Sequence, residues 1–454
     1  MNNQGVSGVP ATAGRTQTKR QEQAFFGGAM VIMTTGLFIA QTSYIWFMPN
    51  QWAFYGLNTA GYVHALVSWN VAFIMGSALA AFAVWKFQKD KIYYLSAILV
   101  TIGGVLMIPS WDSAAPLILA RYIAGIGQGL AFLPTIIHAS EVSPSDFRGT
   151  TLGSISFYLV CSGVIGFAMI DMLIYIGSMD FFVDQVLGIL TLCFGLISIV
   201  LNYFRCIESP VYHLQNNDTS SAISCLAKLN VDHPSSPNVA SDLVHLQAFV
   251  DGQRRFSGSL RPFIRVVALR AVYALSTLTV FNLFTNMFLV GELHQNTLLI
   301  AFLVRFSGEA IGIYSVDKAG RRILLLISFG GCVASFVVIG GLFLGDVDYS
   351  IIVTGGAFSM VFNFFLGLGL SHISVIYMGE SFAVDRKPFY IFVALFLENV
   401  IQIVAMVICC YVTIEVAPAY LIVAAVQIVV GGMVCWKTPE TKRLTLNESR
   451  DILE

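Results

Sequence analysis

The chain has 454 residues, 56% of them hydrophobic and only 11% charged, with a net charge of −1. Soluble globular proteins carry about a quarter charged residues, so this chain lacks the polar surface to face water on all sides. The total charge says nothing about partners, but its distribution along the chain does.

Residues 1–23 are polar and contain Arg15, Lys19 and Arg20. No short apolar core with a small-residue cleavage site precedes the first long apolar stretch, which predicts an uncleaved first helix rather than a signal peptide. Apolar stretches then fall at 24–48, 61–85, 92–110, 114–138, 150–176 and 183–204. After a polar insert come 263–290, 296–316, 322–345, 350–379, 388–412 and 416–436. Each is about the length that spans a hydrocarbon core of about 30 Å. The reading is therefore an all-α membrane protein of twelve transmembrane helices in two six-helix bundles, 24–204 and 263–436. A linker (205–262) joins the bundles, and tails (1–23 and 437–454) flank them. Gly76 predicts a break in the second span and Pro134 a bend in the fourth, both tolerable where neighbouring helices satisfy the backbone.

Orientation follows from the basic residues. With both ends inside, the inner loops are 86–91, 139–149, 205–262, 317–321 and 380–387. These, the tails and the adjoining helix ends hold all but two of the 25 Lys and Arg. The exceptions, Arg121 and Arg305, lie within spans. The outer loops hold Asp112, Asp180, Glu292, Asp346, Asp348 and Glu415 but no Lys or Arg. That is the positive-inside pattern, and miscounting one helix would destroy it. Both termini are expected in the cytosol, in the plasma membrane.

Within the linker, Ser220 to Leu229 and Ser241 to Phe249 read as short amphipathic helices. The eight cysteines show no CxxC spacing and fall in apolar stretches or inner loops, so neither a disulfide nor a metal site is expected. Asn217-Asp218-Thr219 and Asn447-Glu448-Ser449 fit the glycosylation pattern but lie on the cytosolic side.

The halves repeat weakly. Gly308 and Gly312 lead to Asp317-Lys318-Ala319-Gly320-Arg321-Arg322 after the eighth span. At the matching place after the second, Gly76 leads to Lys86 and Lys89, which match Lys318 and Arg321. The aspartate and the turn glycine are missing there. Parallel six-helix repeats are a transporter architecture, with the substrate site near the midplane between halves.

At these residues the chain resembles the sugar porter branch of the major facilitator superfamily. The fourth span carries Arg121, Gly125, Gly127 and Gly129, followed by the E-x-x-P-x-x-x-R-G pattern at Glu141, Pro144, Arg148 and Gly149. After the sixth span Glu208-Ser209-Pro210 matches P-E-S-P-R in part. Asp317 to Arg322 matches D-R-x-G-R-R, and Pro439-Glu440-Thr441-Lys442 matches P-E-T-K-G. The resemblance implies that helix-end charges pair across the halves as a latch in the outward-open state. These are Glu141, Arg148, Glu208, Asp317, Arg321, Arg322, Glu380, Arg386, Lys387 and Glu440. The positions that contact hexose hydroxyls in the family depart from its pattern. They fall on Ser156, on Ser276 to Asn282 (only the asparagine kept), on Arg305, around Ser371 to Val375, and on Glu398.

Intramembrane ionisable groups usually face a cavity or a partner. Arg305 and Glu309 are one turn apart and share a helix face. They either neutralise each other, or Arg305 lines the central cavity with Glu398 opposite. Arg121 partners a first-helix aspartate in proton-coupled sugar porters, but here the first span holds no acidic residue. That implies transport without proton coupling, with Glu309, Glu398 or Asp171 as possible substitutes. Candidate substrate contacts are Ser156, Ser276, Thr279, Asn282, Asn286, Arg305, Glu398 and Asn399, with Gln41, Trp69, Asn70 and Asn363 as further polar candidates. His138 reads as a packing residue.

No phosphate loop, zincin or dinucleotide fingerprint occurs, so neither an enzyme nor an ATP-driven pump is expected, and no cofactor. The expected partners are a small-molecule substrate and the lipid bilayer, with no nucleic acid, and the expected functional unit is a monomer. The expected function is facilitated diffusion of a small polar solute, a sugar by resemblance. A charged or zwitterionic organic solute and a non-transporting solute sensor are the alternatives.

Overall fold

The computed structural model describes residues 17–47, 57–110, 113–176, 182–254, 260–293 and 297–453. Arg15, Asp112, Asp180 and the side chain of Glu292 lie outside the described residues. Among the described residues, twelve helices are long and apolar enough to cross a membrane. They are α1 (Phe26–Trp46), α2 (Thr59–Lys86), α3 (Lys89–Met107), α4 (Ala114–Val142), α5 (Arg148–Leu173) and α6 (Val183–Arg205), then α7 (Leu260–Leu289), α8 (Thr297–Ala319), α9 (Arg321–Leu342), α10 (Tyr349–Glu380), α11 (Lys387–Tyr411) and α12 (Val416–Lys437). This is the number read from hydropathy, with ends displaced by a few residues. Polar side chains at loop exits start several of them. Asn58 accepts from the Gly61 amide at 2.8 Å and Asp348 from Ile351 at 2.9 Å, satisfying amides that a helix start leaves unpaired.

The first six helices pack chiefly among themselves, α4 against α2 and α3, and α1 against α5 and α6; in the last six, α9 meets α10 and α12, and α7 meets α11. The two sets meet along α5 with α8 and α10, and along α2 with α11. The break expected at Gly76 is absent, and α4 remains helical on both sides of Pro134. Gly76 serves close packing instead. A Cβ there would lie 2.1 Å from the Ile126 carbonyl oxygen, and one on Gly129 2.2 Å from that of Phe73. Small residues let neighbouring backbones approach to this distance.

The interruptions fall elsewhere. α7 breaks between Ser276 and Thr279. Gln402 of α11 fills the gap, its Nε2 donating to the carbonyls of Ala274 at 3.1 Å and Thr277 at 3.2 Å. α10 contains a π turn at Leu366–Leu370, and α12 one at Gln427–Gly431. In α10 the Leu370 amide donates to Ser328 Oγ of α9 at 2.8 Å. These are the repairs that irregular backbone needs at membrane depth.

The linker folds into helices Pro210–Gln215, Thr219–Asn230 and Pro237–Arg254. The last two contain the expected segments, while the first adds a helix that composition does not announce. Thr18 and Gln21 tie the N-terminal helix Lys19–Gln23 to the linker by bonds to the Leu229 carbonyl at 2.5 Å and Asn230 Oδ1 at 3.0 Å.

Gly129→Ala forces a methyl group onto the α2 backbone and is expected to cost about 1–3 kcal/mol by overpacking. Thermal unfolding of the detergent-solubilised protein measures this, and an unchanged midpoint would show that α2 and α4 separate without cost.

Candidate functional site

A cavity of about 120 Å³ lies between the two sets of helices. α1 contributes Thr35 and Ser43, α2 Trp69 and Asn70, α5 Ser156, and α7 Arg270, Tyr273, Thr279 and Asn282; α8 adds Arg305, α10 Ser371, and α11 Glu398, Asn399 and Gln402. Asn70 Nδ2 donates to Asn399 Oδ1 at 3.1 Å, joining the first six helices to the last six. Of the sequence candidates, Ser156, Thr279, Asn282, Arg305, Glu398 and Asn399 therefore line one space, with Trp69 and Asn70 beside them.

Ser276, Asn286, Asn363 and Gln41 do not line this cavity. Ser276 sits before the break in α7 and accepts from Gln427 of α12 at 2.7 Å. Asn286 lies one turn beyond Asn282, where its neighbour is already α8, and it accepts from Thr297. Asn363 donates to the Ser359 carbonyl of its own helix at 2.9 Å.

Arg270 is the residue that sequence reading missed. Counted as a helix-end charge, it is buried, lines the cavity and pairs with Glu398. Its position ten residues inside α7 was the available signal, because a basic residue that deep no longer belongs to a loop. Arg305 and Glu309 do not neutralise each other by contact. Arg305 donates to the Tyr273 hydroxyl at 3.0 Å, and Glu309 faces His372 at 3.2 Å.

Arg121 is fully buried. It donates to Gln41 Oε1 at 2.8 Å, Thr42 Oγ1 at 2.9 Å, Ser68 Oγ at 3.1 Å and the Leu66 carbonyl at 3.2 Å. Gln41 passes the interaction on, donating to Asp184 of α6 at 2.8 Å. The first helix thus offers the arginine a neutral amide, with the carboxylate one residue further away. None of Glu309, Glu398 or Asp171 is among its partners. His138 stacks on Tyr93 and bonds the Ile207 carbonyl at 2.9 Å, a packing arrangement.

At the end of the bundle where the basic residues gather, the buried ion pairs lie within each set of helices, and across the sets Arg443 approaches Asp146 at 3.9 Å. Arg321 bonds Glu380 at 3.0 Å and Asp317 at 3.4 Å, all in the last six helices. Glu440 accepts from the backbone amides of Arg321 and Arg322, each at 3.0 Å, at the start of α9. Gly320 permits this approach with φ 105°, a conformation that favours glycine.

The first six helices repeat this arrangement. Lys89 bonds Glu141 at 3.1 Å and Glu208 at 3.2 Å, and Glu208 also accepts from the Lys89 amide. Burial alone would raise the Glu208 carboxyl, but Lys89, His138 and the backbone amides of Ser209 and Lys89 together outweigh it and hold the group below the usual carboxylate range. The contacts that cross between sets are of another kind. Asp317 accepts from the Thr150 amide at 2.7 Å and hydroxyl at 2.8 Å, and Lys387 donates to Ser140 at 2.5 Å. Arg148 donates across to the Leu444 carbonyl at 3.0 Å. Within the last six helices Arg322 donates to the Trp436 carbonyl at 3.3 Å, and Arg386 is exposed.

A polar cavity between two similar sets of six spans, with matched charge clusters at one end, is the arrangement of a carrier protein. The chain belongs to the sugar (and other) transporter family, whose profile it matches over residues 24–453. It is 25% identical to the probable plastidic glucose transporter 2 of Arabidopsis thaliana, over 65% of this chain and 61% of that protein. To the low-affinity glucose transporter HXT1 of Saccharomyces cerevisiae it is 26% identical, over 53% of this chain and 44% of that one. The matched segments thus span less than two thirds of these relatives' lengths. Among solved structures, the proton:xylose symporter XylE bound to 6-bromo-6-deoxy-D-glucose superposes with a TM-score of 0.77 at 16% identity, over 96% of this chain and 98% of that one. The shared fold is that of the major facilitator superfamily.

Lys89→Ala leaves two buried carboxylates without their cation and is expected to cost about 3–5 kcal/mol. A carboxyl held low in the folded state stabilises above its unfolded value, and that contribution is lost as pH falls through the folded value. Thermal unfolding against pH is therefore expected to show the acid loss of stability moving to higher pH in Lys89→Ala. It is expected to move back in the triple variant Lys89→Ala/Glu141→Gln/Glu208→Gln, and an unshifted profile would deny Lys89 this role.

Proposed function

We propose that this protein carries a sugar across the membrane by alternating access, as facilitated diffusion without proton coupling. The observation that carries the reading is the cavity itself, polar and lined from both sets of helices. In this reading residues 24–204 and 263–436 are two bundles that rock about the substrate, joined by the cytosolic linker 205–262. Ser156, Thr279, Asn282, Asn399 and Asn70 meet the substrate's hydroxyls. The protein acts as a monomer in the plasma membrane, with both tails in the cytosol.

The clusters around Lys89 and Arg321 keep the ends of each bundle rigid. The latch between bundles consists of the bonds from Thr150 to Asp317 and from Lys387 to Ser140. Opening the cytosolic side exchanges these for water, a change of a few kcal/mol that bound substrate can bias.

The absence of proton coupling is supported by Gln41. An amide beside Arg121 does not titrate, whereas an aspartate there would gain and lose a proton against the arginine.

Purified protein in proteoliposomes is expected to equilibrate a labelled monosaccharide saturably, and an inward proton gradient is expected to produce no accumulation. Gln41→Asp is expected to make the initial rate depend on pH between about 5 and 8, where a buried carboxyl beside a cation can titrate. Accumulation driven by protons in the unmodified protein would sink the uncoupled reading, and binding without flux would turn the carrier into a sensor.

A further inference from the structure

Among the described residues, three charged side chains line the cavity, Arg270, Arg305 and Glu398. The carboxylate is committed to Arg270. Arg270 also donates to Ser374 at 2.8 Å, and its guanidinium lies 4.5 Å from the centre of the Tyr273 ring. The hydroxyl of the same tyrosine accepts from Arg305. Tyr273 thus braces both arginines. Arg305 is 7% exposed, and its Nε has no hydrogen-bond partner among the described residues. Glu309, one turn along α8, is fully buried against His372 and does not line the cavity. The lining therefore holds two guanidinium groups and one carboxylate, a net single positive charge.

A guanidinium at bilayer depth is costly unless an anion or a wet cavity balances it. Arginine presents five donors in a planar fork, and only one donor bond, to a neutral hydroxyl, is formed here. A neutral hexose would satisfy the neighbouring amides of Asn282 and Asn399, but it would leave the charge of Arg305 unanswered. A carboxylate fits the fork in two-point fashion. One negative charge also closes the count, whereas a sugar phosphate would bring close to two.

We propose that the substrate is a monoanionic sugar, a uronate or aldonate, whose carboxylate pairs with Arg305 while its hydroxyls meet the amides. The proposal rests on the sugar-carrier reading above and narrows its substrate. Moved alone, such a solute carries charge, so its flux responds to membrane potential.

The test is initial uptake of D-glucuronate, D-glucose and D-glucose 6-phosphate into proteoliposomes at potentials set with potassium and valinomycin. Glucuronate is expected to be preferred over both others by at least about tenfold, because a site built for a polar group leaves its own buried donors unpaired with an analogue that lacks it. Its entry is expected to be faster when the interior is positive. Arg305→Gln is expected to abolish the preference, and Arg305→Lys to retain part of it. Gel filtration checks that each variant is folded, and the wild-type preference and potential dependence stand without them. Glucose carried in preference to glucuronate overturns the proposal and leaves the sugar carrier intact. Uptake of none of the three counts against both. Preference unchanged in folded Arg305→Gln removes Arg305 from the recognition of the anion.

Discussion

Charge cannot be left unanswered in hydrocarbon, and much of the organisation of this protein follows from that constraint. Arg121 is held by four neutral acceptors, with Asp184 behind one of them. Arg270 has Glu398, and Lys89 and Arg321 each hold two carboxylates. Each of these partnerships lies wholly within the first six helices and the segment after them, or wholly within the last six. Between the sets run bonds with a neutral partner, such as that from Asn70 to Asn399, and a long approach of Arg443 to Asp146 at 3.9 Å. Full ion pairs stiffen each half, while bonds with a single ionised partner, from Thr150 to Asp317 and from Lys387 to Ser140, join the halves.

The repeat is clearer in space than in sequence. Lys89, Glu141 and Glu208 stand to α3, α4 and α6 as Arg321, Glu380 and Glu440 stand to α9, α10 and α12. The first half lacks the aspartate and turn glycine of the second, which made the motif look decayed. What persists is the function of each place: a cation at a helix start, a carboxylate on the next helix end, and a second carboxylate from the segment after the sixth span receiving the amide at the cation's own position. Different residue types meet the same electrostatic requirement.

Hydropathy carried the fold, because twenty consecutive apolar residues have one physical interpretation and a bilayer imposes it. The site was legible where residue chemistry alone announces it, as at Arg305, Glu398 and Asn399. It was not legible where local geometry decides. Ser276 and Thr279 both suit the cavity by type, yet the break between them sends one to α12 and the other inward. Asn286 shares a face with Asn282 but lies a turn too far along. Arg270 was hidden by its proximity to a basic loop, since charge counting along a sequence does not register depth. Thr150 and Ser140, which bond across to Asp317 and Lys387, carry no charge, and nothing in their local sequence separates them from other hydroxyls.

The π turn at Leu366–Leu370 has a consequence for the history of the chain. Such a turn is in effect one residue inserted into an α-helix, and each residue added rotates the remainder of the helix by about 100°. Everything downstream in α10 owes its facing to that insertion: Ser371 toward the cavity, His372 toward Glu309, Glu380 toward Arg321. An alignment that runs through this helix without a gap would pair these residues with the wrong positions of a relative that has a regular helix there. Divergence at the tenth helix is then partly a shift of phase, and a lineage could change what that wall of the cavity presents by gaining or losing a single codon.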